Sequence, residues 1–200
     1  KRPHNFSLQF DVPWQSAPLI KRRNRIVVDE RILPPDGRVE TKLAEDQVER
    51  AAELFAERGL EAVVIGFLFS FLNNDHDLRA AEIVRRVMPD AFVCASSEVV
   101  SAIREYERFS TAAMNAYIGP RTRRYLDNLQ RRLVEAGVTA PVRIMQSNGG
   151  IGTVEQASRN PVGLLLSGPA GGVIGGRWTG EACDQREIIT IDIGGTSADI

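Results

Sequence analysis

Residues Ala62 to Ala95 read AVVIGFLFSFLNNDHDLRAAEIVRRVMPDAFVCA, and their order decides the fold class. Ala62–Phe71 is a short continuous apolar run, the pattern of a strand covered on both faces. Asn73-Asn74-Asp75 supplies cap residues. Ala80, Ile83, Val84 and Val87 then recur on one side of a helix that Pro89 ends. Ala91–Ala95 is a second strand. Strand, helix and strand at this spacing predict a right-handed crossover, hence a mainly parallel sheet and an α/β class.

Working outward, Leu43–Arg58 is an amphipathic helix. Val48, Ala51, Ala52 and Phe55 keep helical spacing, Glu45 and Asp46 suit the positive first turn, and Gly59 stops it. Arg25–Leu33 reads as a strand and Pro34-Pro35-Asp36-Gly37 as a turn. Before that, Pro3, Pro13 and Pro18 interrupt any helix. Downstream, Glu98–Gly137 is mostly helical, with Pro120 as punctuation and Tyr125, Leu126, Leu129 and Leu133 as an apolar stripe. Pro141–Gln146 reads as a strand ending in Ser147-Asn148-Gly149-Gly150. Val162–Leu166 is a short apolar strand that runs into Ser167-Gly168-Pro169-Ala170-Gly171-Gly172 and a small-residue helix. Glu187–Ile193 is the last strand.

Composition narrows the function. Apolar residues make up 43% and charged residues 26%, with a formal net charge of -1. That balance argues against a nucleic-acid partner, whose binding face would be strongly basic. The longest apolar run, Ala62–Leu72, is shorter than the about 20 residues a membrane span needs. Two cysteines, Cys94 and Cys183, point to a reducing cytoplasm rather than a disulfide framework. The chain opens on Lys1-Arg2-Pro3-His4 and stops at Ile200 within a predicted strand, as expected of part of a longer protein whose isolated 200 residues are inactive.

The stretch that carries chemistry is Ile188–Ile200, IITIDIGGTSADI. An apolar strand delivers Asp192, and Gly194-Gly195-Thr196 turn the chain back into a second strand. Glycines let backbone N–H groups approach phosphate oxygens. Thr196 and Ser197 add hydroxyl donors, Asp199 supports the turn, and Asp192 is placed to hold Mg2+ directly or through water. An ordinary glycine hairpin would need fewer special residues. Two further clusters fit the same chemistry. Ser167, Gly168, Gly171 and Gly172 open a helix whose N-terminus favours an anion, although close packing through small residues explains them equally well. Gly175-Gly176 is better read as packing. Gln146–Gly150 places polar groups at a carboxyl edge of the sheet.

The hairpin resembles the phosphate turn of the acetate and sugar kinase/actin superfamily. Five ordered stretches together resemble the hydantoinase A/oxoprolinase family: RILPPDGRVE at Arg31–Glu40, SSEVVSAIREYERFST at Ser96–Thr111, MQSNGG at Met145–Gly150, LSGPAGGV at Leu166–Val173 and DIGGTSADI at Asp192–Ile200. The resemblance implies an N-terminal region over residues 1–111 and the start of an actin-like (RNase H-like) ATPase domain over 112–200. It implies an oligomeric enzyme using ATP and Mg2+ to open a cyclic amide such as a hydantoin or 5-oxoproline, with a hydantoinase B-type partner, fused or separate. Related ketone carboxylases use homologous subunits, and a nucleotide-binding assembly module without small-molecule chemistry is a third possibility. The chain departs from the family in lacking a first Asp-x-Gly-Gly-Thr turn, and in placing Phe69 where many relatives have histidine and Asn74 where they often have proline. The Phe69 change leaves the substrate class open.

Other residues are expected to be structural. His76 reads as a solvated residue in a helix cap, Cys94 as a small buried hydrophobe, and Lys21, Arg22, Arg23 and Arg25 as a solvated basic face. Arg104-Glu105-Tyr106-Glu107-Arg108 is dense. Helical ion pairing, Arg104 with Glu107 or Arg108 with Glu105, explains it, but its place at the junction of the two implied regions favours a substrate- or interface-facing element.

Overall fold

The computed structural model describes residues 18–195 and 198–200, so the reading of Pro3 and Pro13 falls outside the described residues. Strand β1 (Arg31–Leu33) pairs antiparallel with β2 (Arg38–Thr41) through the turn Pro34–Gly37, where Gly37 takes φ +69° and its N–H donates to Leu33 C=O at 3.0 Å. The expected strand from Arg25 starts only at Arg31. Asp29 is drawn instead to the next helix, its N–H donating to Gln47 Oε1 at 2.8 Å and its C=O accepting from Ala44 N–H at 2.9 Å.

Helix α1 (Glu45–Glu57), strand β3 (Ala62–Ile65), helix α2 (Asp75–Val87) and strand β4 (Phe92–Ala95) form the expected crossover, with β3 and β4 parallel and Ile65 opposite Ala95. Val48 and Ala52 of α1, Ala80, Ala81, Ile83 and Val84 of α2, and Val63, Ile65, Val93 and Ala95 of the strands make one core. Full burial of a side chain such as Ile83 is worth about 2 kcal/mol. At the rim, Arg79 donates to Glu45 at 2.7 and 2.9 Å, and Arg86 reaches Glu49 at 3.1 Å.

The strand expected to run to Phe71 stops at Ile65, because Phe67 finds side-chain partners for both its backbone groups. Its N–H donates to Asp77 Oδ1 at 3.1 Å and its C=O accepts from Arg108 Nη2 at 2.7 Å. His76 is also not solvated. It is buried, with Nδ1 2.9 Å from Glu30 Oε2, because the chain entering β1 lies over the first turn of α2.

After β4 comes the one-turn helix α3 (Ser96–Val99), then α4 (Glu105–Glu135), which runs unbroken through Pro120. Proline inside a helix costs about 3 kcal/mol. Tertiary packing on both sides of it offsets that: Gly119 lies so close under Phe92 that a Cβ would sit 2.6 Å from the ring, and Arg123 stacks over the same ring at 5.0 Å. Of the expected stripe, Leu126 is buried and Tyr125 is exposed.

The parallel pairing is confined to β3 and β4 among the described residues. Strands β5 (Arg143–Met145) and β6 (Ile151–Thr153) pair antiparallel, as do β7 (Asp192–Ile193) and β8 (Ala198–Asp199). Their connections are hairpin-length, and a parallel return needs a long crossover. Thr153 caps α5 (Val154–Arg159) in a reciprocal box with Gln156. The strand expected over Val162–Leu166 is a 3-10 turn, Pro161–Leu164, leading into α6 (Ser167–Ala182). Of the expected strand Glu187–Ile193 only the last two residues pair, because Ile188 and Thr190 pack on α6 instead.

Candidate functional site

Helix α6 organises the glycine-rich stretches. Its N-cap, Leu166, has φ +62° and offers no side-chain cap, and Ser167, Gly168, Gly171 and Gly172 lie in its first two turns. They are helical rather than the joint between a strand and a helix. Pro169 costs little there, since the first N–H groups of a helix have no internal partner. Gly168 and Gly172 face open space, while Gly171 lies 3.6 Å (as a virtual Cβ) from Met145 of β5. A Cβ on Gly176 would collide with Thr190 Cγ2, and one on Gly180 would sit 2.7 Å from Gln185 C=O. The packing role expected of Gly176 is therefore present, while Gly175 meets nothing. The segment leading to Asp192 lies against α6 nine residues beyond Ser167, about 13 Å along the axis.

The Ser147–Gly150 stretch is the β5–β6 turn. Gly149 takes φ +83° with Ile174 of α6 close behind it, and Asn148 Oδ1 accepts from Gly150 N–H at 2.9 Å. Ser147 reaches the 3-10 turn, donating from N–H (2.7 Å) and Oγ (3.0 Å) to Gly163 C=O. Asn115 of α4, 0% exposed, holds the same turn from the other side. Its Oδ1 accepts from Val162 N–H at 3.0 Å and its Nδ2 donates to Arg159 C=O at 3.2 Å. The turn that feeds α6 is thus clamped by two separate elements.

In the hairpin, Asp192 opens β7 opposite Asp199, and Ile193 faces Ala198. Asp192, Gly194 and Gly195 are exposed, and a Cβ on Gly195 would meet nothing within 4 Å. Thr196 and Ser197 lie outside the described residues. No group of three or more His, Cys, Asp or Glu side chains that could hold a metal ion occurs among the described residues. Among the described side chains, the donor at the turn is the exposed Asp192 carboxylate. That fits Mg2+, which keeps several waters and takes few protein carboxylates.

A second cluster, not anticipated from sequence, lies at the carboxyl ends of β3 and β4. Asp77, fully buried on α2, accepts from Phe67 N–H, from Ser96 Oγ at 2.9 Å and from Ser97 N–H at 3.2 Å. Burial pushes its carboxyl above the ordinary range against the pull of these donors. Arg108, 1% exposed, donates to Ser96 Oγ (3.3 Å), Ala102 C=O (3.1 Å) and Phe67 C=O (2.7 Å), and stacks on Phe71 and Phe109 at 5.8 and 5.1 Å. Its approach to Glu105, 3.9 Å, is the weakest of these contacts. Arg108 is therefore an interior anchor more than half of a helical ion pair. The one available sequence signal is the charge density of residues 104–108; Asp77 stands in the first turn of α2, where an acid is common. Cys94 is buried as expected, its thiol pushed up to about 11 by burial, with Sγ 3.7 Å from Ala112 C=O.

Residues 108–200 match the hydantoinase/oxoprolinase family and residues 1–88 its N-terminal region, so the chain belongs to the hydantoinase/oxoprolinase family. It is 36% identical over 198 residues to an uncharacterized protein of Methanocaldococcus jannaschii, covering 99% of this chain and 28% of that one. It is 37% identical over 182 residues to the caprolactamase subunit alpha of Pseudomonas jessenii, covering 91% and 26%. The solved structure of that ATP-dependent caprolactamase superposes with a TM-score of 0.72 over 86% of this chain and 25% of that one, at 34% identity. A nucleotide-free structure of acetone carboxylase gives 0.74 over 86% and 24%, at 28% identity. The chain spans about a quarter of the length of these relatives. No helix among the described residues is long and apolar enough to cross a membrane.

Proposed function

We propose that the protein binds ATP with Mg2+ at the β7–β8 hairpin and the N-terminus of α6, and uses it to activate the carbonyl of a cyclic amide for hydrolysis. The observation that carries this is the exposed Asp-x-Gly-Gly turn, where Gly195 leaves the space above its backbone open close to Asp192. On this reading Asp192 holds the cation, Gly194, Gly195, Thr196 and Ser197 grip phosphates, Asp199 steadies the return strand, and at the far end of the nucleotide Ser167 and Gly168 offer the free N–H groups of the first turn of α6 while Gly171 and Gly172 keep its surface small. ATP supplies the phosphoryl group that makes a resonance-stabilised amide carbon electrophilic. What the chain itself contributes is preorganised donors that need no rearrangement as charge develops. We place residues 112–200 at the start of an actin-like ATPase domain and 1–111 in the N-terminal region, in a cytoplasmic oligomer completed by a hydantoinase B-type partner.

A second reading, the ATPase subunit of a ketone carboxylase, is favoured by the superposition on acetone carboxylase. One experiment addresses both. Full-length protein, with its partner subunit, is assayed for Mg-ATP consumption with caprolactam, hydantoin or 5-oxoproline, and with acetone plus bicarbonate. Asp192→Asn should lower substrate-stimulated phosphate release at least tenfold and weaken the magnesium dependence of nucleotide binding. Equal activity in Asp192→Asn would remove the hairpin from the mechanism. Bicarbonate-dependent turnover would select the second reading.

A further inference from the structure

We propose that the outer face of α4 is a contact between two copies of this chain, packed antiparallel about a two-fold axis near the middle of the helix. The inference rests on the reading above in one respect, that an oligomer is expected, and it supplies the surface.

The face comes first. Tyr106, Met114, Tyr117 and Tyr125 are between 42% and 69% exposed. At about 100° per residue all four fall within one arc of about 100°. Arg108, Ala112, Asn115, Ala116, Gly119 and Leu126, the buried residues of the same helix, occupy the opposite side. That inner side packs on β3 and β4. Single exposed apolar residues are ordinary on a protein surface. Three tyrosines and a methionine in line along a helix of 31 residues, about 46 Å long, form a stripe, and both residue types are enriched at interfaces.

Charge then selects the occupant. On or beside this face Arg131 pairs with Glu135 at 2.8 Å, and Arg124 reaches Glu61 at 3.7 Å. Exposed Glu107, Arg121 and Arg132 share the arc and make no ion pair among the described residues. The acid stands near the start of the helix and Arg132 near its end. Glu107 and Arg132 are equally far from a point midway between Gly119 and Pro120, and so are Met114 and Tyr125. Tyr117 and Arg121 are centred on Gly119, half a residue away. An antiparallel copy in this register brings Glu107 of each chain to Arg132 of the other, and Met114 to Tyr125. It also lays Arg121 over the Tyr117 ring of the other copy, a cation–π pair. Every charge left over on the face finds a partner.

Other occupants fit less well. A parallel copy would set Glu107 on Glu107 and Arg132 on Arg132. An acidic partner would satisfy the arginines and oppose Glu107, and a basic one would do the reverse. A two-fold contact needs one self-complementary patch, and this face is one. With about ten residues a side, against the 20–30 of a standard interface, the contact should be weak and concentration-dependent.

The test uses full-length protein carrying Cys183→Ser, which removes the exposed thiol; Cys94 is buried. Glu107→Cys and Arg132→Cys are added to it separately, and each variant is treated with a short bis-maleimide alone and after mixing. The two positions lie about 38 Å apart along the helix, so an antiparallel pair cross-links in the mixture and in neither variant alone. Sedimentation from roughly 1 to 200 µM gives the affinity. Arg132→Glu should weaken self-association about tenfold, because the two-fold axis counts the change twice. Adding Glu107→Arg should restore it, with Tm within about 2 °C of wild type throughout, as for exposed positions. Cross-linking of either variant alone overturns the contact. So does an oligomer that gives no mixed cross-link, or a charge swap that restores nothing; each leaves the expected oligomer standing. A protein monomeric over the whole range overturns both. ATP use is decided separately, by the Asp192→Asn assay.

Discussion

Replacing Arg108 by methionine keeps most of the side chain's volume and removes its charge and donors. In the structure those donors reach Ser96 Oγ, Ala102 C=O and Phe67 C=O, and the guanidinium stacks on two phenylalanine rings. A hydrogen bond to a charged group is worth about 1.5–3 kcal/mol, and the three are not additive. Breaking a buried, connected polar arrangement by removing one member costs about 3–5 kcal/mol. At about 2–4 °C per kcal/mol for a domain of this size, Arg108→Met should lower the Tm of the unit by roughly 10 °C. Hydrogen exchange should show protection lost first in residues 66–72, which depend on the Phe67 contact. Glu105→Ala is the control, because a partly exposed pair at 3.9 Å is worth under about 0.5 kcal/mol. If Arg108→Met unfolds within a degree or two of wild type, or Glu105→Ala is as damaging, Arg108 is an ordinary helical ion-pair partner and the anchor argument is wrong.

Asn115→Leu should cost about 2–3 kcal/mol by leaving Val162 N–H and Arg159 C=O without their partner, seen as faster exchange in residues 160–166. Ser147→Ala, which removes one of two bonds to Gly163 C=O, should cost no more than about 1 kcal/mol. Asp77 gives a pH signature. With its carboxyl raised by burial, the folded state holds the proton more tightly than the unfolded chain, whose ordinary value is 3.8. Stability it contributes below that value is lost as pH rises through the raised folded value. Wild type should therefore lose stability relative to Asp77→Asn as pH climbs above 3.8, then run parallel to it; a flat difference across pH 3–7 contradicts this. In thiol titration of the native chain, exposed Cys183 should react at once and Cys94, its thiol pushed up to about 11 and buried, only on unfolding.

What could be read from sequence was what local chemistry decides. The crossover from β3 through α2 to β4 follows from periodicity and cap residues, and the turns at Gly37 and Gly195 follow from glycine's place in them. The misreadings share one cause, a partner distant in sequence. The run Ala62–Phe71 is apolar throughout and looks like one strand, yet Phe67 is captured by Asp77, ten residues on, and Arg108, forty-one residues on. His76 looks solvated until Glu30, forty-six residues earlier, folds onto it. Pro120 looks like a helix end because propensity cannot register Phe92 packed against Gly119. The candidate phosphate turn was legible because glycine and acid at fixed spacing have few other uses. The polar cluster was not, because Asp77, Ser96 and Asn115 are ordinary residues in ordinary positions until the fold buries them.

Helix α4 decides how the two clusters relate. The family matches leave residues 89–107 uncovered, and α4 begins at Glu105, inside that gap. Arg108 and Asn115 are seven residues apart, two helical turns, and so lie on one face. Between them and just beyond, Ala112, Ala116 and Gly119 are buried, and their small size lets the helix lie directly on β4. Arg108 fastens the loop after β3, while Asn115 fastens the turn that launches α6. A movement of the turn at Pro161–Leu164 would either break the Asn115 bonds to Arg159 C=O and Val162 N–H or carry α4 with it. In the second case Arg108 moves with it and pulls on Phe67 C=O. The Phe92 ring of β4, seated on Gly119 and covered by Arg123, interlocks with α4 and opposes such a slide, so the Asn115 bonds are the part that gives first.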